Sequence, residues 1–383
     1  MYNRVIRLPK SPKTSFFLWG ARQTGKSFLL QSLYPKAFWI DLLKADIFRK
    51  YSSHPERLRE ELLQMEEPRP LCVIDEVQKV PALLDEVHWL IENARMAFVL
   101  CGSSARKVKR GQANLLGGRA MRHQLYGLVS AELRTRFDLN RLLNRGYLPA
   151  IYNSSDFVLA LESYCGDYLK EEIAAEGLVR NLPAFSDFLE RAALSDCEIV
   201  NYSTFARDCG VSDKGIRGYF EILFDTLLAD SLPAFQKRRK RRIVQSPKIY
   251  FFDVGTVNFL ARRFPVQPQT ERFGKAFENW VHHELQSYIH YRRRLLSLSF
   301  WRLSTGVEVD FILGDMKVAV EAKATANVHQ DHLKGLRELQ KDHPEVGRRV
   351  VVCLDAISRK TSDGIQILNY RDFCRRLWSN RII

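Results

Sequence analysis

The sequence predicts an α/β chain: a parallel-sheet core, a helical connector, a helix-turn-helix with a charged hairpin, and a final αβββαβ unit. A glycine loop set between an apolar strand and a helix predicts the first part. A second apolar strand ending in paired carboxylates at 75 and 76 supports it. The last part rests on an amphipathic helix from Phe273 and three strand-like segments that alternate apolar and charged residues.

At 383 residues the chain has room for several domains of about 100 to 200 residues each. Hydrophobic residues make up 46 % and aromatics 11 %, enough to fill cores and to exclude disorder for most of the length. There are 59 Lys and Arg against 44 Asp and Glu, a formal net charge of +15. Residues 201–383 carry 31 basic and 20 acidic side chains, net +11, whereas residues 1–200 carry 28 and 24, net +4. An anionic partner is expected at the C-terminal half. The 7 cysteines are scattered without a CxxC pair, so they read as small apolar residues and not as a disulfide or zinc framework. No apolar run approaches the roughly 18 to 20 residues that span a bilayer, and the opening Met-Tyr-Asn-Arg stretch lacks a secretory apolar segment. A cytoplasmic protein without a membrane partner is the expectation.

The apolar segment from Ser15 to Trp19 runs into Gly20, Ala21, Arg22, Gln23, Thr24, Gly25, Lys26 and Ser27, then into Phe-Leu-Leu-Gln-Ser-Leu. GxxxxGK[ST] between strand and helix lets backbone N–H groups curl around phosphate oxygens while the helix N-terminus adds partial positive charge. Lys26 reaches the outer phosphates, and Ser27 offers a hydroxyl to Mg²⁺. The buried-strand pattern from Leu71 to Ile74 then ends in Asp75 and Glu76. Beside a glycine loop these suit a Mg²⁺ shell and a water-polarising carboxylate, respectively; without one they would read as a solvated acidic turn. Another apolar strand, Met96 to Gly102, ends in Ser103 and Ser104, which suit γ-phosphate sensing or helix capping. Arg106, Lys107, Lys109 and Arg110 form a basic cluster after it. Arg119, in Leu115-Leu-Gly-Gly-Arg119, suits an arginine finger acting in trans or an ordinary surface arginine.

This motif order resembles AAA-type ATPases, specifically a large bacterial and archaeal family in which the ATPase precedes a C-terminal domain of unknown function. The matching residues are Gly20 to Ser27, Val73-Ile-Asp-Glu-Val-Gln78 and Leu115 to Arg119. The resemblance implies a P-loop AAA-type ATPase core over 1–130, ATP and Mg²⁺ as cofactors, and ring-forming homo-oligomers, hexamers among them, although nothing in the chain sets a subunit number. One departure is Arg145-Gly-Tyr-Leu-Pro149, where the family usually carries a double glycine.

Residues 131–200 show apolar residues at three and four spacing, as in Phe157 to Tyr164 and Leu182 to Leu194, and read as a helical lid or connector. The acidic run from Lys170 to Glu176 reads as a solvated helix face. Over 201–265, two short helices flank the glycine turn near Gly210, and two strands follow, separated by Lys237, Arg238, Arg239, Lys240, Arg241 and Arg242. That is a winged-helix pattern whose second helix projects Lys214 and Arg217. Such folds also bind proteins, and the basic run also fits a nuclear-localisation motif. Its charge favours phosphate contacts without base specificity.

From 266 the order is helix, three strands, helix, strand. Period-two alternation places Val307, Val309, Phe311 and Leu313 on one face and Asp310 with Glu308 on the other. Glu321 and Lys323 share a face opposite Val318, Val320 and Ala322. A hairpin through Gly314-Asp315 brings Asp310 to Glu321, two carboxylates suited to a divalent metal with a lysine alongside. This resembles the PD-(D/E)XK nuclease superfamily, matching Asp310 and Glu321-Ala-Lys323, with Glu278 as the helical acid, although Val309 stands where the name has proline. The resemblance implies Mg²⁺ on Glu278, Asp310 and Glu321, and Lys323 orienting water. Active nuclease, DNA-gripping remnant and salt-bridge cluster all fit the residues. His282 and His283 read as surface or second-shell side chains, because Mg²⁺ prefers oxygen. The function expected is a Mg²⁺-dependent ATPase acting on duplex or branched DNA. The alternative is an ATP-controlled oligomerising switch in signalling or defence whose C-terminal half binds a protein.

Overall fold

The structure, a computed structural model, describes residues 2–66, 70–103, 116–168, 179, 181–236 and 246–383. Ser104, the basic cluster at 106–110, the acidic run at 170–176 and the basic run at 237–242 therefore lie outside the described residues. The chain divides into two compact units. One holds Ile6–Tyr126 with Asp225–Leu228; the other holds Met1–Val5, Gly127–Phe224 and Ala229–Ile383. The expected segments 131–200 and 266–383 fall inside the second unit, as does 201–265 apart from Asp225–Leu228.

In the first unit the order is β1 (Ser15–Trp19), α1 (Lys26–Leu33), β2 (Phe38–Asp41), α2 (Ala45–Ser53), α3 (Arg57–Leu63), β3 (Cys72–Asp75), α4 (Leu83–Ala94), β4 (Phe98–Gly102) and β5 (Ala120–Gln124). The five strands are parallel in the order β2-β3-β4-β1-β5. β1, β3 and β4 are buried along their whole length, as parallel strands covered on both faces must be, which is why they read as unbroken apolar runs. β1 runs between β4 and β5, so the chain order reverses beside it. That switch point places the loops after β1, β3 and β4 around one crevice at their carboxyl ends.

The second unit begins with short helices α5 (Ser130–Leu133), α6 (Leu139–Arg145), α7 (Pro149–Asn153) and α8 (Phe157–Ser163), then α9 (Leu182–Leu194). α10 (Tyr202–Cys209) ends at Gly210, whose φ of 62° supplies the left-handed cap that a side chain would oppose. α11 (Asp213–Asp225) follows, then the antiparallel pair β6 (Ala229–Leu232) and β7 (Lys248–Phe251) and helix α12 (Val254–Leu260). The last stretch is α13 (Glu271–Tyr291), β8 (Leu298–Arg302), β9 (Glu308–Leu313), β10 (Val318–Lys323), α14 (Lys334–Asp342) and β11 (Arg348–Cys353), the expected element order. Three further elements, β12 (Arg359–Lys360), β13 (Gln366–Asn369) and α15 (Tyr370–Trp378), extend it. The six strands form one mixed sheet in the order β12-β13-β11-β10-β9-β8.

The strand-face expectation for Val309 and the surface reading of His282 and His283 need correction. Val309 does not share a face with Phe311 and Leu313: it packs with Trp301 and Ile312 in one cluster, while Phe311 and Leu313 pack with Phe300 and Val320 in another. The register against β8 steps from Ser299 opposite Ile312 to Trp301 opposite Val309, so β9 carries one extra residue there. A bulge of this kind resets the alternation beyond it, while Asp310 stays with Glu308, both facing Lys248. His282 and His283 are not surface residues either; they are 3 % and 4 % exposed. α13 is covered almost all round, with neighbours in α6, α12, β7, β10 and α15. The His282 ring stacks on Tyr250 at 4.2 Å and the His283 ring on Tyr147 at 4.0 Å, and burial lowers both histidines to about 3.

Candidate functional site

The first crevice is built by backbone as much as by side chains. A Cβ at Gly20 would stand 2.4 Å from the Leu125 carbonyl oxygen, so only glycine lets the loop leave β1 against that strand. Gln23 and Gly25 have φ of 60° and 91°, left-handed positions that curl the loop into a cradle of N–H groups at the start of α1. The Lys26 ammonium folds over the loop, donating to the carbonyls of Gly20 (2.7 Å) and Ala21 (3.0 Å). Thr24 Oγ1 also donates to Ala21 O, at 2.8 Å. Ser27 follows, half-buried, in the first turn of α1.

Asp75 and Glu76 close β3, and both are buried. Glu76 has φ of 56°, and its N–H donates to Asp75 Oδ1 at 3.1 Å. Burial raises the Glu76 pKa; Lys26 opposes the rise and Asp75 adds to it, and a hydrogen bond from Gln78 lowers it. Sequence reading placed Gln78 in the Val73–Gln78 match but gave its amide no role. Its Nε2 donates to Glu76 Oε2 and, at 3.0 Å, to Ser103 Oγ, tying the end of β4 to the carboxylate. Gln78 Oε1 is buried against the backbone of Gly102. A Cβ at Gly102 would lie 2.3 Å from it, which explains glycine there. The signal lay in Asp75-Glu-Val-Gln78: after a tight turn the fourth residue folds back on the second. Arg119 is exposed and pairs with Glu92 of α4.

Gln78→Met is expected to move the acid limb of ATP turnover to higher pH. If Glu76 polarises the attacking water it acts ionised, so turnover is expected to fall as pH drops through its folded-state pKa. Removing a donor to the carboxylate raises that pKa further. A kcat–pH profile checks this; a lower kcat with an unmoved limb would reduce Gln78 to a packing role.

The second constellation lies on α13, β9, β10 and β7. β9 and β10 pair antiparallel through Phe311 opposite Val320, and Asp310 and Glu321 come next on the two strands. Asp310 N–H donates to Glu321 Oε2 at 3.4 Å, and Ala322 N–H donates to Asp310 Oδ2 at 2.9 Å. Lys323 Nζ is 2.7 Å from Glu321 Oε1. Burial raises the Glu321 pKa, the Asp310 charge adds to the rise, and Lys323 opposes it. Glu278, on α13, accepts from Tyr250 OH at 2.7 Å.

Sequence reading missed the cation among these acids. Lys248, the first residue of β7, places Nζ 3.2 Å from Glu278 Oε1, 3.1 Å from Glu308 Oε1 and 3.6 Å from Asp310 Oδ1. Burial by itself would lower its pKa, but the carboxylates of Glu278, Asp310 and Glu308 together raise it well above its ordinary value. Period two in Lys248-Ile-Tyr250 was the available signal, since both side chains reach Glu278. A cavity of about 710 Å³ opens beside this cluster, lined by Tyr202, Ser203, Arg217, Lys248, Arg302 and Glu308 among others. Lys214 and Arg217 are exposed on α11, and the Arg217 guanidinium lies 4.1 Å over the Tyr202 ring.

Comparison with known proteins matches residues 12–134 to an AAA domain model. Residues 136–267 and 273–373 match two domains of unknown function, DUF8612 and DUF4143. Uncharacterized proteins of Mycobacterium tuberculosis and Mycobacterium bovis are each 24 % identical over 266 residues, 66 % of this chain and 58 % of theirs. The aligned part of the chain thus spans little more than half the length of these curated relatives. Among solved structures, the Aeropyrum pernix Orc1 protein in complex with DNA aligns at TM-score 0.25 and 12 % identity, covering 65 % of this chain and 87 % of that one. A STAND protein with a tetratricopeptide repeat sensor from Pyrococcus horikoshii aligns at TM-score 0.24 and 12 % identity, covering 75 % and 47 %. Alignments this weak leave the fold of the first unit resting on its own strand order and on the AAA match. The N-terminal part of the chain is an AAA-type P-loop ATPase domain.

Proposed function

We propose that this chain is a Mg²⁺-dependent ATPase whose nucleotide cycle acts on duplex or branched DNA, gripped by the helix-turn-helix and the αβββαβ unit, in a ring-forming homo-oligomer. The observation that carries the ATPase is the convergence of Lys26, Ser27, Asp75 and Glu76 at the carboxyl ends of β1 and β3. Phosphate oxygens would take over the Lys26 ammonium from the loop carbonyls of Gly20 and Ala21, and the cradle at Gln23 and Gly25 would donate N–H groups to the same oxygens. The Ser27 hydroxyl and the Asp75 carboxylate are hard oxygen donors of the kind Mg²⁺ takes, and the ion when bound neutralises charge on the outer phosphates. Glu76 would orient and polarise water, with Gln78 holding its carboxylate and Ser103 behind Gln78. Arg119 would serve a neighbouring subunit's nucleotide once released from Glu92.

DNA is supported by the +11 of residues 201–383 and by the exposed Lys214 and Arg217. The basic run at 237–242 adds six charges in sequence between the two hairpin strands. Binding to duplex, junction and single-stranded DNA, titrated with salt, is expected to weaken linearly in log–log form, with a slope of about −0.9 per phosphate neutralised on duplex. ATP turnover is expected to rise with at least one of these DNA forms. Salt-independent affinity would contradict electrostatic gripping. Turnover flat across all forms, with ATP-dependent assembly, would shift the reading to a nucleotide-controlled switch that binds a protein.

A further inference from the structure

Nuclease-type chemistry at Glu278, Asp310 and Glu321 requires a divalent cation on their oxygens, and the side chains present do not fit one. Asp310 Oδ2 accepts from the Ala322 N–H and Oδ1 faces Lys248 Nζ. Both oxygens of Glu321 are engaged, by Lys323 and by the Asp310 N–H. Glu278 Oε1 receives both the Tyr250 hydroxyl and Lys248. Among the described residues no set of three or more His, Cys, Asp or Glu side chains is disposed to hold a metal ion. Mg²⁺ demands oxygens at about 2.0 to 2.1 Å in near-octahedral array; here the oxygens of Glu278, Glu308 and Asp310 point at an ammonium.

We infer that Lys248 is the resident cation of this cluster: its ammonium occupies the position a divalent metal would need, so the αβββαβ unit keeps its carboxylates together without metal and does not cut DNA. An ion on the same oxygens would sit in direct repulsion with a buried ammonium. The Lys248 side chain is 3 % exposed, and the strand that carries it is held on both sides. β7 pairs with β6 on one side, and on the other Cys197 N–H donates to Ile249 O, Ile249 N–H to Glu198 O and Val200 N–H to Pro247 O. The lysine thereby also ties the hairpin after the helix-turn-helix to α13 and β9, with one charge serving three acids from two elements.

The test is Mn²⁺ binding to the nucleotide-free full chain, followed by the electron paramagnetic resonance of free Mn²⁺. Wild type and Asp310→Asn are expected to give superimposable isotherms. Lys248→Met, which keeps the length and apolar stem while removing the charge, is expected to gain one bound ion per chain, lost again when Asp310→Asn is added. Weaker Mn²⁺ binding in Asp310→Asn than in wild type would overturn the inference outright. So would a folded Lys248→Met, judged by its circular-dichroism melt, that gains no Asp310-dependent ion. Should Lys248→Met fail to fold, the wild-type and Asp310→Asn isotherms decide. Asp310-dependent nicking of supercoiled DNA by wild-type protein in Mn²⁺ would equally overturn it. None of these readouts involves ATP turnover, so their failure leaves the ATPase reading untouched.

Discussion

Glu76→Gln is expected to lower ATP turnover by about 10² to 10⁴-fold, the range by which a positioned acid or base contributes to proton transfer, while ATP still binds. The glutamine keeps the size of the side chain and a carbonyl oxygen for Gln78 Nε2, so the turn at Glu76 and the Gln78–Ser103 bond survive. What disappears is the negative charge that would polarise water. Asp75, Lys26 and the loop are untouched, so the phosphate cradle remains. Lys26→Ala acts differently: it removes the ammonium that bridges Gly20 O and Ala21 O and that would reach the outer phosphates. It is expected to abolish turnover and weaken ATP binding together. Fluorescent-nucleotide binding alongside phosphate release separates the two variants. Equal loss of binding in both would remove Glu76 from the chemistry.

Asn279→Leu is expected to destabilise the second unit by about 3 kcal/mol or more. Asn279 is fully buried on α13 and uses both ends of its amide. Nδ2 donates to Asp196 Oδ2 (2.9 Å) and Phe251 O (3.1 Å), while Oδ1 accepts from Tyr147 OH at 2.8 Å. Asp196 in turn accepts from the Phe251 N–H at 2.8 Å, and burial pushes its carboxyl up to about 7. Leucine would take the partner from the buried Tyr147 hydroxyl and Phe251 carbonyl and one donor from Asp196, each loss worth roughly 1 to 3 kcal/mol. Tyr147→Phe removes one hydroxyl and is expected to cost about 1 kcal/mol. Urea unfolding of the three proteins checks the order. An Asn279→Leu cost no larger than that of Tyr147→Phe would show that these bonds do not act as one network. The network joins the segment around Tyr147, Asp196, the β7 end at Phe251 and helix α13, and so links stretches that read as lid, winged helix and terminal unit within one compact unit.

The shape of the glycine loop was legible because its information is local. Gly20 to Ser27 is one contiguous turn, and the conformations at Gln23 and Gly25 and the reach of Lys26 follow from neighbours within six residues. The order of elements from α13 to β11 was legible for the same reason, since each is a short stretch with its own period. Even the approach of Asp310 to Glu321 follows from a hairpin between strands adjacent in sequence. The composition of the chain likewise determined that its positive charge lies towards the C-terminus.

Tertiary structure decided what depends on distant partners or broken periods. The extra residue in β9 shifted Val309 to the other cluster, because alternation predicts a face only while the pleat stays regular. His282 and His283 went into the core because α13 is enclosed on several sides, which no single helical stripe announces. Lys248 stands 30 residues from Glu278 and 60 from Glu308, so only the folding of β7 against α13 and β9 made one lysine the counter-charge of three acids. Local geometry writes a phosphate cradle into eight consecutive residues, whereas the charge balance of a buried cluster exists only once its separate elements have packed.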